Sequence, residues 1–311
     1  MAVIVVGSIN LDLIAQIDRI PGPGETRLAH HLAISPGGKG ANQALAARRM
    51  GASTTFLGTV GKDAFSRQAS ALLRQEGVDL TYLDSHPDLV TGLAMIGVDQ
   101  DGQNAITVAD GANRATQETA LTHLDRLIKA DDWLVIQNEI PLATSDRARW
   151  IAHQHGAKVI WDPAPALVDP PRGLWSSDIV IPNQGEAEAI LKESVADVRA
   201  AKAAARHLMD RGAGAGIVKL GGEGVVWATP HGVFYLPAVS VSVVDTVGAG
   251  DVFAGALAAR LDRGDLLADA VFWANLAAGL STTQSGAQPS FPHWESVRQY
   301  AYQQGQKEKE R

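Results

Sequence analysis

The chain has 311 residues, 46% hydrophobic and 20% charged, with a formal net charge of −7 and no cysteine. That length can bury a large core, and the lack of cysteine excludes a disulfide framework, a thiolate nucleophile and a Cys-ligated metal. No basic run is long enough to follow a nucleic-acid backbone, no apolar run approaches the roughly 18 residues of a membrane span, and MAVIVVGSIN lacks a basic leader, so a cytoplasmic enzyme or binding protein is expected.

Residues 2–7 form a short Val/Ile run suited to a buried parallel strand. Asn10 and Asp12 lie just past its carboxyl end, where open α/β sheets collect ligand groups. Two positions apart in extended chain, they project to one side and suit the hydroxyls of a polyol; an Asx turn explains them equally well. Residues 13–17 and 26–34 alternate around Pro21-Gly22-Pro23-Gly24, an early antiparallel insertion that could serve as a lid. Next, SPGGKGANQ precedes a helix through Leu45, Ala46, Arg48 and Arg49 that stops at Gly51. Lys39 among glycines suggests a P-loop, but Gly40 follows it and no Gly sits five before Gly38, so the pattern fails.

Residues 55–60 predict a strand, and Phe65, Ala69, Leu72 and Leu73 a helix ending at Gly77. Residues 91–98 and 105–108 predict a hairpin around Asp99-Gln-Asp-Gly102, which would complete the lid sheet. A helix is expected over 116–130 and buried strands over 133–137 and 158–161, the second stopped by Pro163 and Pro165. Glu139 follows the first of these, and a carboxylate at a strand's carboxyl end points into the crevice. A short strand over 178–181 leads into Asn183-Gln-Gly-Glu186 and a helix, a spacing that also suits an ordinary cap with a first-turn Glu. An Ala-rich helix ends near Arg211. The Gly212–Gly216 loop after it precedes a strand, the wrong order for a dinucleotide fingerprint. Residues 217–220 form that strand, and Lys219 with Gly221, Gly222 and Gly224 is placed to pass beneath a nucleotide's phosphates. A hairpin over 225–228 and 233–236 follows.

Val239, Val241, Val243 and Val244 predict a strand into a glycine-rich turn, after which Phe253, Ala254, Leu257, Ala258 and Leu261 recur at helical spacing. Gly248 and Gly250 free backbone N–H groups at this helix start, where unpaired amides and the dipole favour an anion. Asp251 sits at the mouth of that site; helix capping alone would also place it there. Another helix is expected over 268–281, a turn over 284–290, and fraying of the last ten residues, which end KEKER. The nine histidines have no supporting metal-ligand spacing and suit surface or packing roles.

Three motifs, GGKGAN, NxxE and DTVGAGD, occur here in the order found in the ribokinase (PfkB) family of sugar and nucleoside kinases, which the chain resembles from Val3 to about Pro292. The resemblance implies one α/β domain over 1–311, doubly wound with a mostly parallel sheet between helices and a small lid sheet from about 11–35 and 91–109. It implies that Asp251 is the base for the attacking hydroxyl and that Gly248, Ala249 and Gly250 form an anion hole. Gly38, Lys39, Asn42 and Glu139 would contact the sugar with Asn10 and Asp12. Asn183 and Glu186 would lie near the phosphates and Mg²⁺, the ion held through water; Lys219 and Gly221–Gly224 would line the nucleotide site, and Asn275 would face the adenine. Asp245, Val247, Ser281, Gln284, Gly286 and Ser290 resemble a monovalent-cation site, with K⁺ the plausible ion. The expected reaction is transfer of the ATP γ-phosphoryl group to O5 of D-ribose. Kinases of 2-deoxyribose, a hexose or a nucleoside, and a non-catalytic sugar or nucleotide sensor, are the alternatives. The alternating lid segments should expose one apolar sheet face, which favours a homodimer through the lid.

Overall fold

The structure is a computed structural model that describes residues 1–167 and 169–309. From the N-terminus, β1 (Val3–Val6) leads into β2 (Asn10–Gln16), β3 (His31–Gly37) and α1 (Lys39–Arg49). Then come β4 (Thr54–Leu57), β5 (Thr59–Gly61), α2 (Ala64–Ala69), α3 (Ala71–Gln75), β6 (Asp84–His86), β7 (Gly92–Val98) and β8 (Asn104–Ala109). The middle holds α4 (Glu118–Leu127), β9 (Trp133–Ile136), α5 (Leu142–Gln154), β10 (Lys158–Trp161), β11 (Ile179–Val180), α6 (Gln184–Leu191) and α7 (Val198–Asp210). The chain closes with β12 (Ala215–Lys219), β13 (Val225–Thr229), β14 (Gly232–Leu236), α8 (Ala249–Asp262), α9 (Leu267–Ser281) and α10 (Trp294–Lys309).

Eight strands form the main sheet in the order β14-β13-β12-β11-β10-β9-β1-β4. Pairing is parallel from β12 to β4 and antiparallel over β12-β13-β14. Strand β1 is buried on both faces. Val3 and Val5 pack into a core shared with α1, α8 and α9, whereas Ile4 and Val6 pack into a second core under α4, α5, α6 and α7. This is why the strand reads as an unbroken apolar run rather than an alternating one. The chain leaves β1 toward β4 on one side and returns to β9 on the other. The order therefore reverses at β1, and the crevice at the carboxyl ends of β1 and β9 is where such a fold binds ligands.

The second sheet is four-stranded, β3-β2-β7-β8, and is the small separate sheet expected from the sequence. Its register places Asn10 and Asp12 on one face, paired with Gly37 and Ser35 across β3 and with Gly92 and Ala94 across β7. Exposed apolar side chains do not all share one face, which corrects the sequence expectation. Leu32, Ile34 and Met95 lie on the face opposite Asn10, and Ile106 and Val108 on the same face as Asn10.

Several local expectations also change. The predicted strand over 55–60 is broken at Gly58 and the helix after it at Ser70. The helix expected over 116–130 is the shorter α4, preceded by a 3₁₀ turn over Gly111–Ala115. Ala215 and Gly216, read as loop, open β12. The Val-rich stretch over 239–244 forms no strand. Pro237, just after β14, has no N–H to extend the ladder, and the chain instead crosses to α9, where Val244 and Asp245 donate their N–H groups to the Thr282 carbonyl at 2.8 and 3.1 Å. The C-terminal stretch expected to fray is helical to Lys309; Glu310 and Arg311 lie outside the described residues. Among the described residues no helix is long and apolar enough to cross a membrane, and no His/Asp/Glu group is arranged to hold a metal.

Candidate active site

Helix α1 begins against the turn between β1 and β2, and glycine makes that approach possible. Gly38 has φ +89°, and a Cβ there would lie 2.7 Å from the Asn10 backbone nitrogen. The start of α1 is capped from β9: Glu139 Oε2 accepts from the Lys39 N–H at 3.0 Å and from Ser8 Oγ at 2.5 Å. Glu139 thus joins the carboxyl end of β9 to the anion-favouring end of α1. Asn10 is 3% exposed, and its Oδ1 accepts from Asn113 Nδ2 at 2.7 Å.

Asp251 lies in the first turn of α8 and is 6% exposed. It forms no cap hydrogen bond to its own helix. Instead Asn42 Nδ2 donates to its Oδ2 at 2.8 Å and Gln43 Nε2 to its Oδ1 at 3.2 Å, both from α1. Gly248, the N-cap of α8, has φ +79°, and a Cβ there would press within 2.8 Å of the Phe291 ring. The tight turn of residues 246–250 therefore needs glycine, and it leaves the first amides of α8 facing the crevice.

A cleft of about 380 Å³ opens beside Asp251. Its polar end holds Lys39, Asp162, Glu186, Lys219 and the Gly248–Gly250 turn; its other end is walled by Val225, Val239, Val241, Val243 and Ala278. Lys219 Nζ donates to Asp162 Oδ1 at 2.9 Å, and a Cβ on Gly250 would come 3.6 Å from the same Nζ. A lysine thus lies beside Gly250 at the start of α8. Gly221, Gly222 and Gly224 also line the cleft. Asn183 and Glu186 form a full capping box, Asn183 Oδ1 accepting from the Glu186 N–H at 2.8 Å and Glu186 Oε2 from the Asn183 N–H at 2.7 Å. The capping explanation of NxxE therefore holds, and both residues also line the cleft. Asn275 lines it too, but its amide donates to the Pro237 carbonyl at 2.9 Å.

The electrostatics bind these parts together. Burial pushes the Asp251 carboxyl up to about 6; Lys39 and the Asn42 hydrogen bond oppose this, and Asp162 and Glu139 add to it. Burial, with the charges of Glu139 and Asp251, pushes Asp12 up to about 7. Burial works against the charge on Lys39, yet Asp251, Glu139, Asp162 and Glu186 hold its ammonium above the usual lysine value. Glu186 is raised by burial, with Lys219 opposing and Asp162 reinforcing. Asp12, Glu139 and Asp251 therefore surround one region with Lys39 as its cation.

At the proposed cation site, Asp245 Oδ1 accepts from the Val247 N–H at 3.0 Å and Oδ2 from the Gly286 N–H at 2.8 Å, so the two loops meet. The Ser290 hydroxyl donates to the Ala287 carbonyl, which leaves its oxygen lone pairs free to accept or coordinate. Six polar residues around Asp251 and the start of α1 escape the sequence reading: Ser8, Gln43, Asn113, Gln137, Asp162 and Gln288. Asp162 carries the signal that Glu139 does, a carboxylate just past the carboxyl end of a strand, but Pro163 and Pro165 after it read as a strand stop and mask it.

Residues 2–294 match the pfkB family carbohydrate kinase profile. The chain belongs to this family. Staphylococcus aureus ribokinase is 36% identical over 300 residues, covering 96% of this chain and 98% of that protein. Salmonella typhi deoxyribokinase is 34% identical over 302 residues, with 96% and 98% coverage. Among solved structures, Arabidopsis thaliana ribokinase complexed with ribose and ATP superposes with a TM-score of 0.88 at 30% identity, covering 96% of this chain and 97% of that one. The ribokinase-like doubly wound fold with its small sheet, and membership among ATP-dependent carbohydrate kinases, follow from these matches together with the architecture above.

Proposed function

We propose that the chain transfers the γ-phosphoryl group of ATP to O5 of D-ribose. The observation that carries this reading is the position of Asp251, a buried carboxylate between the amides of α8, Lys39 and the carboxylates that surround it. Asn10, Asp12, Lys39, Asn42 and Glu139 would hold a neutral polyol, since hydroxyls can donate to three carboxylates at once whereas an anionic ligand would meet like charge. The ATP phosphates would lie between Lys219 and the Gly248–Gly250 amides, with Asn183, Gly221, Gly222 and Gly224 around them. The Val-rich wall and Asn275 would receive the base.

Asp251 orients and accepts the proton of the attacking hydroxyl, and the amides offset charge on the transferring oxygens. Because such transition states are loose, positioning and electrostatics carry most of the acceleration, and a carboxyl near 6 is basic enough. Mg²⁺ supplies neutralisation of phosphate charge when bound. The polar end of the cleft fits it through Glu186 and water, since that carboxylate borders the space the phosphates would fill. The hard oxygens of Asp245, Val247, Ser281, Gln284, Gly286 and Ser290 fit K⁺, which would brace the turn before α8. The four-stranded sheet would act as the lid of a single domain over 1–311. Its exposed Leu32, Ile34 and Met95 favour a homodimer through that sheet. A cytoplasmic location, where ATP is available, fits this activity.

ADP release measured across acceptors tests the reading. Ribose should give the highest kcat/KM, above 2-deoxyribose, hexoses and adenosine, with K⁺ faster than Li⁺, in a species that sediments as two chains. A higher kcat/KM for adenosine would reverse the acceptor assignment, and ribose binding without turnover would make the chain a sensor.

A further inference from the structure

The hydrogen bonds around Asp251 satisfy only one polarity. A carboxylate accepts and does not donate, so Asn42 and Gln43 must turn their NH₂ groups toward it. Gln43 Nε2 also donates to Asp162 Oδ2 at 2.9 Å, so both of its protons are used on carboxylates. The oxygen of each amide then faces away and needs a donor. Gln137 Nε2 donates to Gln43 Oε1 at 2.7 Å, and Gln288 Nε2 donates to Asn42 Oδ1 at 3.0 Å. Both outer glutamines are 0% exposed, and each is left with a buried carbonyl oxygen that has no protein partner. Three such orphaned side-chain atoms occur among the described residues, and two of them are these. Leaving a buried acceptor unpaired is costly and calls for an explanation. The backbone even makes room for one of them, since a Cβ on Gly7 would lie 2.1 Å from Gln137 Oε1.

We propose that Gln137 and Gln288 are positioning residues: each fixes the polarity of one amide, Gln43 or Asn42, so that both oxygens of Asp251 stay hydrogen-bonded and the carboxylate stays aimed. The orphaned oxygens are the cost of that ordering. This rests on the reading of Asp251 as the base.

The test uses Gln137→Met, which keeps the length of the side chain and removes the donor. The charged groups acting on Asp251, namely Lys39, Asp162, Glu139 and Asp12, are left in place. With Gln43 free to turn over, kcat should fall about tenfold, the size expected for one hydrogen bond to a charged group. The sugar KM should stay within about twofold. The acid limb of the kcat/KM profile should move to higher pH, because the ionised carboxyl loses a donor. A packing role would lower thermal stability and leave that limb in place. The double variant Gln43→Met/Gln137→Met should be no slower than Gln43→Met alone, since the outer residue acts only through the inner one. An unmoved acid limb in folded Gln137→Met, or additive losses in the double variant, overturns the proposal. If circular dichroism shows that Gln137→Met does not fold, Gln288→Met carries the same expected limb shift through Asn42. An Asp251→Asn arm separates the two readings. Full turnover in that variant removes the base assignment itself, whereas lost turnover beside wild-type profiles in the glutamine variants removes only the relay.

Discussion

Asp251→Asn should lower kcat by roughly 10²- to 10⁴-fold, the range for loss of a positioned general base, with sugar affinity largely kept. The new amide has nearly the same shape, so the acceptor chamber is preserved. One of its ends, however, now presents N–H to an N–H of Asn42 or Gln43, and it cannot take a proton. In the unsubstituted protein kcat/KM should fall as pH drops through about 6, where Asp251 becomes protonated. The stability effect has the opposite sign. A carboxyl raised in the folded state from 3.8 to about 6 destabilises the fold above that upper value, and the penalty vanishes below the lower one. Removing the charge should therefore stabilise the protein at pH 8 by up to about 3 kcal/mol and change little at pH 4. Paired kinetic and thermal measurements at the two pH values check both signs. Near-normal turnover would contradict the role given to Asp251.

Lys39→Met should produce the second large effect, through the carboxylates left behind. Lys39 opposes the burial of Asp251, and Asp251, Glu139, Asp162 and Glu186 in turn hold its proton. Its raised pKa means that its own stabilising charge is present throughout the range below the ordinary lysine value. The pH dependence of the variant thus comes from the acids. At pH 8 they stay charged without their cation, and the loss should be about 3 kcal/mol, as for a broken buried pair. At pH 5 Asp12 and Asp251 take up protons and the loss should shrink. Denaturant titrations at both pH values read this directly, and equal losses would place Lys39 outside the influence of the acids. The acid limb of kcat/KM should also shift upward.

The parts of the fold legible in the sequence were those with a periodic or punctuating signal. β1, β9 and β10 read as apolar runs because both faces are covered, and Gly51 and Gly77 marked real helix ends. β6, Asp84–His86, was invisible because three polar residues carry no pattern. The Val-Ser alternation over 239–244 misled because alternation reports half-burial in a sheet, whereas here only Val239 and Val241 are half-buried along a cleft, Val243 and Val244 are exposed, and no sheet is joined. At the site, the Gly248–Gly250 turn, Asn10, Asp12 and Glu139 were legible from their place at a helix start or strand end, Lys39 and Asn42 came only with the family resemblance, and Asp162, also beside a strand end, was hidden by its prolines. Gln43, Gln137 and Gln288 were not legible, since amides act here by polarity, which depends on partners up to 246 positions apart. The pairing of Asn10 with Asn113 was hidden for the same reason.

Strand β2 follows β1 after three residues, and it carries Asn10 and Asp12 on one face of the small sheet. Under the proposed function Asn10 and Asp12 grip the acceptor, so the short link to the rigid centre of the molecule would make that sheet a lever with both grips at its inner end. Tilting the sheet outward would withdraw both side chains together, so uncovering the chamber and letting go of its occupant would be a single mechanical event.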